Sequence, residues 1–344
     1  MMNYNELDAR VVREKVDMTQ LWEAWISADD LRRHSFIGTM GWEERSGKEY
    51  LYNRKRKVVK SLGPRSPETE KICMAFNDGK SANKARLKTL SKEMDRQAAV
   101  LRSLSAQRLP IMAARTLRAF RTHDKQAGIR VIGTNALYAY ESLAGVVFNA
   151  ESLATGDVDI LIDDRNQLRL LTEDDERIGL TRLLQRSVDK SFTPRGAMDY
   201  SLTNNKGYIV EFVRPEPSPI HRKMRGAAAI EEGGIRPTAI FGLQWLVNAP
   251  AIESVVLDER GFPAPMRCPD PRYWAIHKLW VSTRDDRDPA KKIRDRQQAD
   301  IMLKLIAERL PNFPLDNAFK ALLPNELKTL LPLESERDDG APSW

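Results

Sequence analysis

Asp157 and Asp159 stand one residue apart in GDVDILID, residues 156–163, where an apolar run begins. In an extended strand, residues i and i+2 project to the same face, so both carboxylates would share one small volume while Val158 points away. A cation between them relieves their repulsion, and hard carboxylate oxygens suit Mg²⁺ or Mn²⁺. The plainer alternative is a charged loop ahead of a strand, because aspartate pairs are common at such places. A third carboxylate, Glu211, interrupts the apolar run of Ile209, Val210, Phe212 and Val213. In an interior strand that charge needs a partner; at a sheet edge it needs none.

A second device precedes the pair. RVIGTNALYAYE, residues 130–141, reads as a strand that ends at Gly133-Thr134 and turns straight into a helix. Glycine lets the backbone approach a ligand closely, threonine offers a hydroxyl, and the free amides of a helix start attract phosphate. A phosphate cradle beside metal-holding carboxylates could bind a nucleoside triphosphate, neutralise charge on its α-phosphorus and activate an incoming hydroxyl. The corresponding reaction class is nucleotidyl transfer.

These residues need a sheet to hold them. From residue 129 the texture is α/β: strands at IRVIG, VDILID and GYIVEFV alternate with helices at NALYAYESLAG and ERIGLTRLLQRSV, which predicts a mixed sheet flanked by helices. Residues 215–270 are rich in Pro and Gly and resist assignment. Two helices follow, at 272–284 and 289–310, and the tail ESERDDGAPSW is expected to be disordered. Ahead of the sheet, residues 7–35 read as a helix with Leu21, Trp22, Trp25 and Ile26 on one face. A hairpin signal surrounds SGK within residues 38–63. Ser66 and Pro67 start one or two long helices reaching about Leu104, with an interruption expected near NDGK, residues 77–80. A further helix opens at Pro110 and ends near Gly128. The expected organisation is a mainly helical, ribbon-bearing N-terminal region (1–125), an α/β (α+β) domain (126–270), a C-terminal helical part (271–332) and a flexible tail (333–344).

Bulk composition agrees with a compact protein: 344 residues, 42% hydrophobic and 30% charged. No apolar window is long enough for a membrane span and the first residues do not read as a secretory signal, so a cytoplasmic location is expected. Cys73 and Cys268 lie far apart without nearby metal-ligating partners, which disfavours a disulfide framework or a zinc site. The net charge of +7 is uneven: residues 1–125 carry 26 Lys and Arg against 16 Asp and Glu, and the remainder 29 against 32. A basic front half suits a polyanion, and Arg54, Lys55, Arg56 and Lys57 beside Tyr50 and Tyr52 could grip RNA phosphates and bases. The same cations could instead protect an edge strand from aggregation. Histidines 34, 123, 221 and 277 show no ligand spacing and are expected in packing or surface roles; the tryptophans read as core.

IGT, GDVDILI and VEFV together resemble the hG[GS]…DxD…[DE] signature of the polymerase-β-like nucleotidyltransferase superfamily. GTNALYAYE with TGDVDILID is most similar to a poorly characterised bacterial group, nucleotidyltransferase family 8, near the abortive-infection nucleotidyltransferase toxins. The likeness covers about residues 129–310. It implies a nucleotidyltransferase mixed sheet and transfer of a nucleoside monophosphate from an NTP to an acceptor hydroxyl on RNA, protein or a small molecule. It also implies that Gly133 and Thr134 face the triphosphate, that Asp157 and Asp159 bind metal, and that Glu211 completes the metal site and draws the acceptor's proton. Lys278 would reach a phosphate, and Asp295, beside Arg294, would orient it or the base; the alternative is a solvated face with an interhelical ion pair. The 24 residues from Gly133 to Asp157 imply an inserted hairpin or strand. A competing function is a non-catalytic nucleic-acid-binding or regulatory protein on the same scaffold, with residues 1–125 as its working part.

Overall fold

The computed structural model describes residues 4–55, 58–106, 108–123, 128–153, 155–163, 179–196, 198–216 and 235–331. The chain opens with β1 (Tyr4–Glu6) and α1 (Ala9–His34), the latter capped by Asp8, whose side chain accepts from Arg10 N. A three-stranded antiparallel meander follows: β2 (Thr39–Arg45), β3 (Lys48–Lys55) and β4 (Val58–Pro64). Ser46 and Gly47 both have positive φ, the two-residue turn that suits the twist of a hairpin. The expected ribbon is thus present, with one strand more than a hairpin.

α2 (Pro67–Ser103) starts at the predicted Ser66 cap, where Ser66 and Thr69 bond reciprocally and Pro67 takes the first helical position. It runs unbroken through residues 77–80, against the expected interruption. Gly79 is accommodated because it faces the ring of Phe36, where a Cβ would come within 2.7 Å of Cζ. α1 and α2 pack antiparallel through Met18, Trp22, Met94, Ala98 and Leu101, and Asn83 donates to Ala28 O at their buried interface.

α3 (Ile111–His123) leads to β5 (Ile129–Ile132), a 3-10 turn at Thr134–Ala136, and α4 (Leu137–Ala144). The stretch between Gly133 and Asp157 also holds β6 (Val146–Phe148) and α5 (Ala150–Leu153). β6 is the inserted strand that the spacing implied, and it pairs antiparallel with β1. Then come β7 (Asp157–Ile162), α6 (Leu180–Ser187), β8 (Thr193–Arg195), β9 (Met198–Thr203) and β10 (Ile209–Pro215).

The central sheet runs β5-β7-β10-β9-β8, with β7 and β10 parallel and the other neighbours antiparallel; β11 (Thr238–Ile240) joins β10 in parallel. Along β7, Val158 and Ile160 are fully buried in the main core, as are Val210 and Phe212 along β10. The alternating residues, Asp157, Asp159 and Glu211, therefore face the other side. β10 lies between β7 and β9, so Glu211 is not on an edge strand.

The stretch that composition left unassigned contains β11, α7 (Leu243–Asn248) and a hairpin of β12 (Ala251–Leu257) and β13 (Pro263–Pro269). β13 carries prolines 263, 265 and 269, which a two-stranded ribbon tolerates because one side of each strand needs no ladder partner. α8 (Pro271–Thr283) and α9 (Pro289–Arg309), both opening on an Asp cap and a first-turn proline, pack against one another over the sheet. α10 (Asn317–Leu322) and α11 (Asn325–Lys328) close the described chain. Cys73 and Cys268 are both buried and free. Among the described residues no helix is long and apolar enough to cross a membrane. The expected flexible tail, 333–344, lies outside the described residues.

Candidate active site

The strand register brings the three carboxylates together. Glu211 pairs directly with Asp159 across the parallel β7–β10 ladder, and Ile132, the last residue of β5, pairs with Asp159 from the other side. Gly133 follows immediately at φ +63°, and a Cβ there would run into Asp159 Oδ2. Only glycine fits this turn, both for its backbone and for the room its neighbour occupies. Asn135, buried in the same turn, donates Nδ2 to Asp157 O at 2.6 Å and ties the turn to the start of β7.

Burial, Asp157 and Glu211 push the Asp159 carboxyl up to about 7, against the opposing pull of Lys278 and Arg287. Burial and then Asp157 raise Glu211 as well. Thr155 donates its hydroxyl to Asp157 Oδ1. The three acids face one cavity of about 400 Å³. Among the described residues no three His, Cys, Asp or Glu side chains form, as they stand, a group that could hold a metal ion.

Across the cavity stand the cations. Lys278 Nζ lies 2.6 Å from Asp295 Oδ1, and Arg287 Nη2 lies 2.7 Å from Asp295 Oδ2. Asp295 is 3% exposed and Lys278 12%, so this is a buried pair rather than the solvated face weighed as the alternative. Lys278 also sits 5.5 Å from the Trp274 ring centre, and Trp274 donates its indole N–H to Gly133 O at 3.1 Å. α8 is thereby fixed on the glycine turn. Lys291, in the first turn of α9, lines the cavity with an exposed side chain. Thr134 also lines the cavity, but its hydroxyl is turned toward α9, where it accepts from Arg294 Nη2 at 3.1 Å and Gln298 Nε2 at 3.3 Å.

All seven expected site residues line this one cavity. Arg287 and Lys291 also line it, although in sequence they belong to a polar turn and a helix start that mark neither as a site residue. The sequence likewise leaves unmarked an aromatic wall of Phe241 and Trp280, and His277, which packs on the Trp245 and Trp280 rings and lines the cavity besides. Burial and then the Lys278 charge lower the His277 imidazolium to about 3, so the ring is neutral near pH 7. On the ribbon, Arg54 is ion-paired with Glu43, Lys55 is exposed, and Arg56 and Lys57 lie outside the described residues.

The arrangement is acids on one wall, cations on the facing wall, and a glycine turn between them. Compared with known families, the chain matches a family model described as nucleotidyltransferase over residues 111–324. No curated protein and no solved structure matches it.

Proposed function

The chain belongs to this nucleotidyltransferase family, and on that premise we propose that it is a metal-dependent, cytoplasmic enzyme moving a nucleoside monophosphate from an NTP to an acceptor hydroxyl. The observation that carries this reading is the in-register placement of Asp159 and Glu211, with Asp157 on the same face, opposite Lys278, Arg287 and Lys291 in one cavity.

What supports a metal is the donor set itself. Three all-oxygen carboxylates share one face, and burial first, then their mutual repulsion, raises the Asp159 and Glu211 carboxyls; hard divalent ions such as Mg²⁺ or Mn²⁺ suit such oxygens. Asp157, Asp159 and Glu211 would hold it. When bound it supplies charge neutralisation at the α-phosphate and at the pyrophosphate leaving group.

The protein's own groups do the rest. Gly133 lets the triphosphate approach the backbone, while Lys278, Arg287 and Lys291 draw its negative charge into the cavity. The acceptor oxygen forms a bond to the α-phosphorus as the bond from that phosphorus to the bridging oxygen breaks; pyrophosphate leaves with the electron pair. Glu211 takes the acceptor's proton. An RNA end is the acceptor that the basic region of residues 1–125 favours, with Lys48, Lys55 and Lys60 among the exposed cations of the ribbon.

The test is incubation of the protein with each α-³²P-labelled NTP, Mg²⁺ and a cell extract. Labelled RNA, protein or metabolite is expected, and Asp157→Ala with Asp159→Ala should abolish it. Labelling by the double variant at the wild-type rate would overturn the reading.

A further inference from the structure

The carboxylates and cations occupy only part of the cavity. Beyond Asp159 and Glu211 the same sheet face becomes apolar: Leu161 and Val213 pack with Leu243, Leu246 and Val247 of α7. At this end the wall is aromatic. Phe241 lies at the end of β11, with its ring 5.7 Å from Trp280 and 6.1 Å from Trp245, and Trp245 meets Trp280 edge-on at 4.8 Å. Phe241 is 43% exposed, so part of its ring stays open although it has two aromatic neighbours. Beside it, the guanidinium of Arg284 lies 4.8 Å over the Trp280 ring and is chelated by Asp286 at 2.6 and 2.8 Å. Arg284 therefore covers the Trp280 ring, which is tilted by 52° to Phe241, while bringing little net charge.

This wall is built rather than incidental. Gly242 has φ +89°, and a Cβ there would come within 2.7 Å of the Trp280 ring, so the backbone seats that indole closely. One helix spans both ends of the cavity: Trp274 and Lys278 of α8 meet the glycine turn and Asp295, and Trp280, six residues after Trp274, meets Phe241. At 1.5 Å per residue those six advance about 9 Å, comparable to the reach from a phosphate across a ribose to its base.

We propose that the exposed face of Phe241, backed by Trp280 and Arg284, is the platform on which the nucleobase of the substrate stacks, so that the enzyme grips its NTP by the base's face as well as by its phosphates. This rests on the nucleotidyltransferase reading above. Every base has a π-face, so the platform contributes to the binding of all four nucleotides. Behind the platform, the ring of His277 lies 5.7 Å from that of Trp280, and its buried Nε2 has no hydrogen-bond partner among the described residues.

The test compares affinities by calorimetry for ATP, CTP, GTP and UTP with that for inorganic tripolyphosphate, in the intact protein and in Phe241→Ala. Each NTP is expected to bind more tightly than tripolyphosphate. Phe241→Ala should weaken every NTP by about 5- to 100-fold and leave tripolyphosphate unchanged, and Phe241→Trp should restore NTP affinity. The exposed position makes a folding defect easy to detect in a thermal melt. NTPs that bind no better than tripolyphosphate, or that bind Phe241→Ala with unchanged affinity, overturn the platform while leaving the transferase reading standing. Failure of both NTP and tripolyphosphate to bind the intact protein overturns both.

Discussion

Lys278 Nζ sits 2.6 Å from Asp295 Oδ1 and joins α8 to α9, while the other oxygen of Asp295 holds Arg287. One acid thus aims two cations at the cavity. Asp295→Asn leaves Lys278 buried without its counter-charge, a situation that costs about 3–5 kcal/mol when a buried pair loses one partner; the one-third exposure of Arg287 moderates its share. Chemical denaturation should show this loss, and Asp295→Asn with Lys278→Met should recover most of the stability without recovering tripolyphosphate affinity. A double variant no more stable than Asp295→Asn would show that the pair does not set the loss.

On the proposed reading, Asp159 sets function against stability. Burial and two neighbouring carboxylates make its charge unfavourable in the metal-free fold. Asp159→Asn keeps the shape and removes one like charge, so in EDTA it should melt a few degrees above the wild type while transferring no label. A lower melting temperature would mean that the carboxylate contributes to holding the fold.

Gly133 and Gly145 have nearly the same φ, +63° and +66°, but different surroundings: a Cβ at 133 meets Asp159, and one at 145 meets nothing within 4 Å. Each alanine variant strains the backbone by about 1 kcal/mol or more. Only Gly133→Ala should also displace the carboxylate and lower kcat/KM by about 100-fold or more. Equal kinetic losses in both would place the effect in backbone strain alone.

Glu141 gives a pH signature away from the cavity. It is 5% exposed on α4, accepts from Phe148 N at 2.6 Å, and lies 3.3 Å from Arg108. Burial pushes it up to about 7, while Arg108 and Lys15 pull the other way. Because the folded value exceeds the unfolded one, the fold holds the proton, and this stability is full below about pH 4.5 and lost as pH rises through about 7. The amount is on the order of 3 kcal/mol. Glu141→Gln keeps an acceptor for Phe148 and cannot ionise, so its melting temperature should gain on the wild type between pH 5 and 8. A constant difference across that range would rule out the titration.

The acids were legible from the chain because alternation is a local rule: Val158 and Ile160 inward places Asp157 and Asp159 outward whatever surrounds the strand. That Glu211 stands beside Asp159 depends on which strands neighbour one another, and this became readable only through resemblance to a known signature. Arg287 belongs to the site solely because α8 and α9 fold back over the sheet; in sequence RDDRDP has the composition of any polar turn. Phe241 was hidden by the prolines around it, which mask short strands, and NDGK suggested a break in α2 because helix propensity does not register the Phe36 ring against Gly79.

β1 adds three residues to the fold, yet it pairs with β6, inside the stretch that links Gly133 to Asp157. Tyr4 of that strand also bonds Glu308, and Glu6 bonds Arg309, both at the end of α9. The opening residues therefore act as a clasp between the stretch that links Gly133 to Asp157 and the end of α9, the helix that carries Lys291 and Asp295. A protein begun at residue 111, where the family match starts, would leave β6 an open edge and α9 unfastened. Anyone trimming the chain to its enzymatic part should keep its first strand.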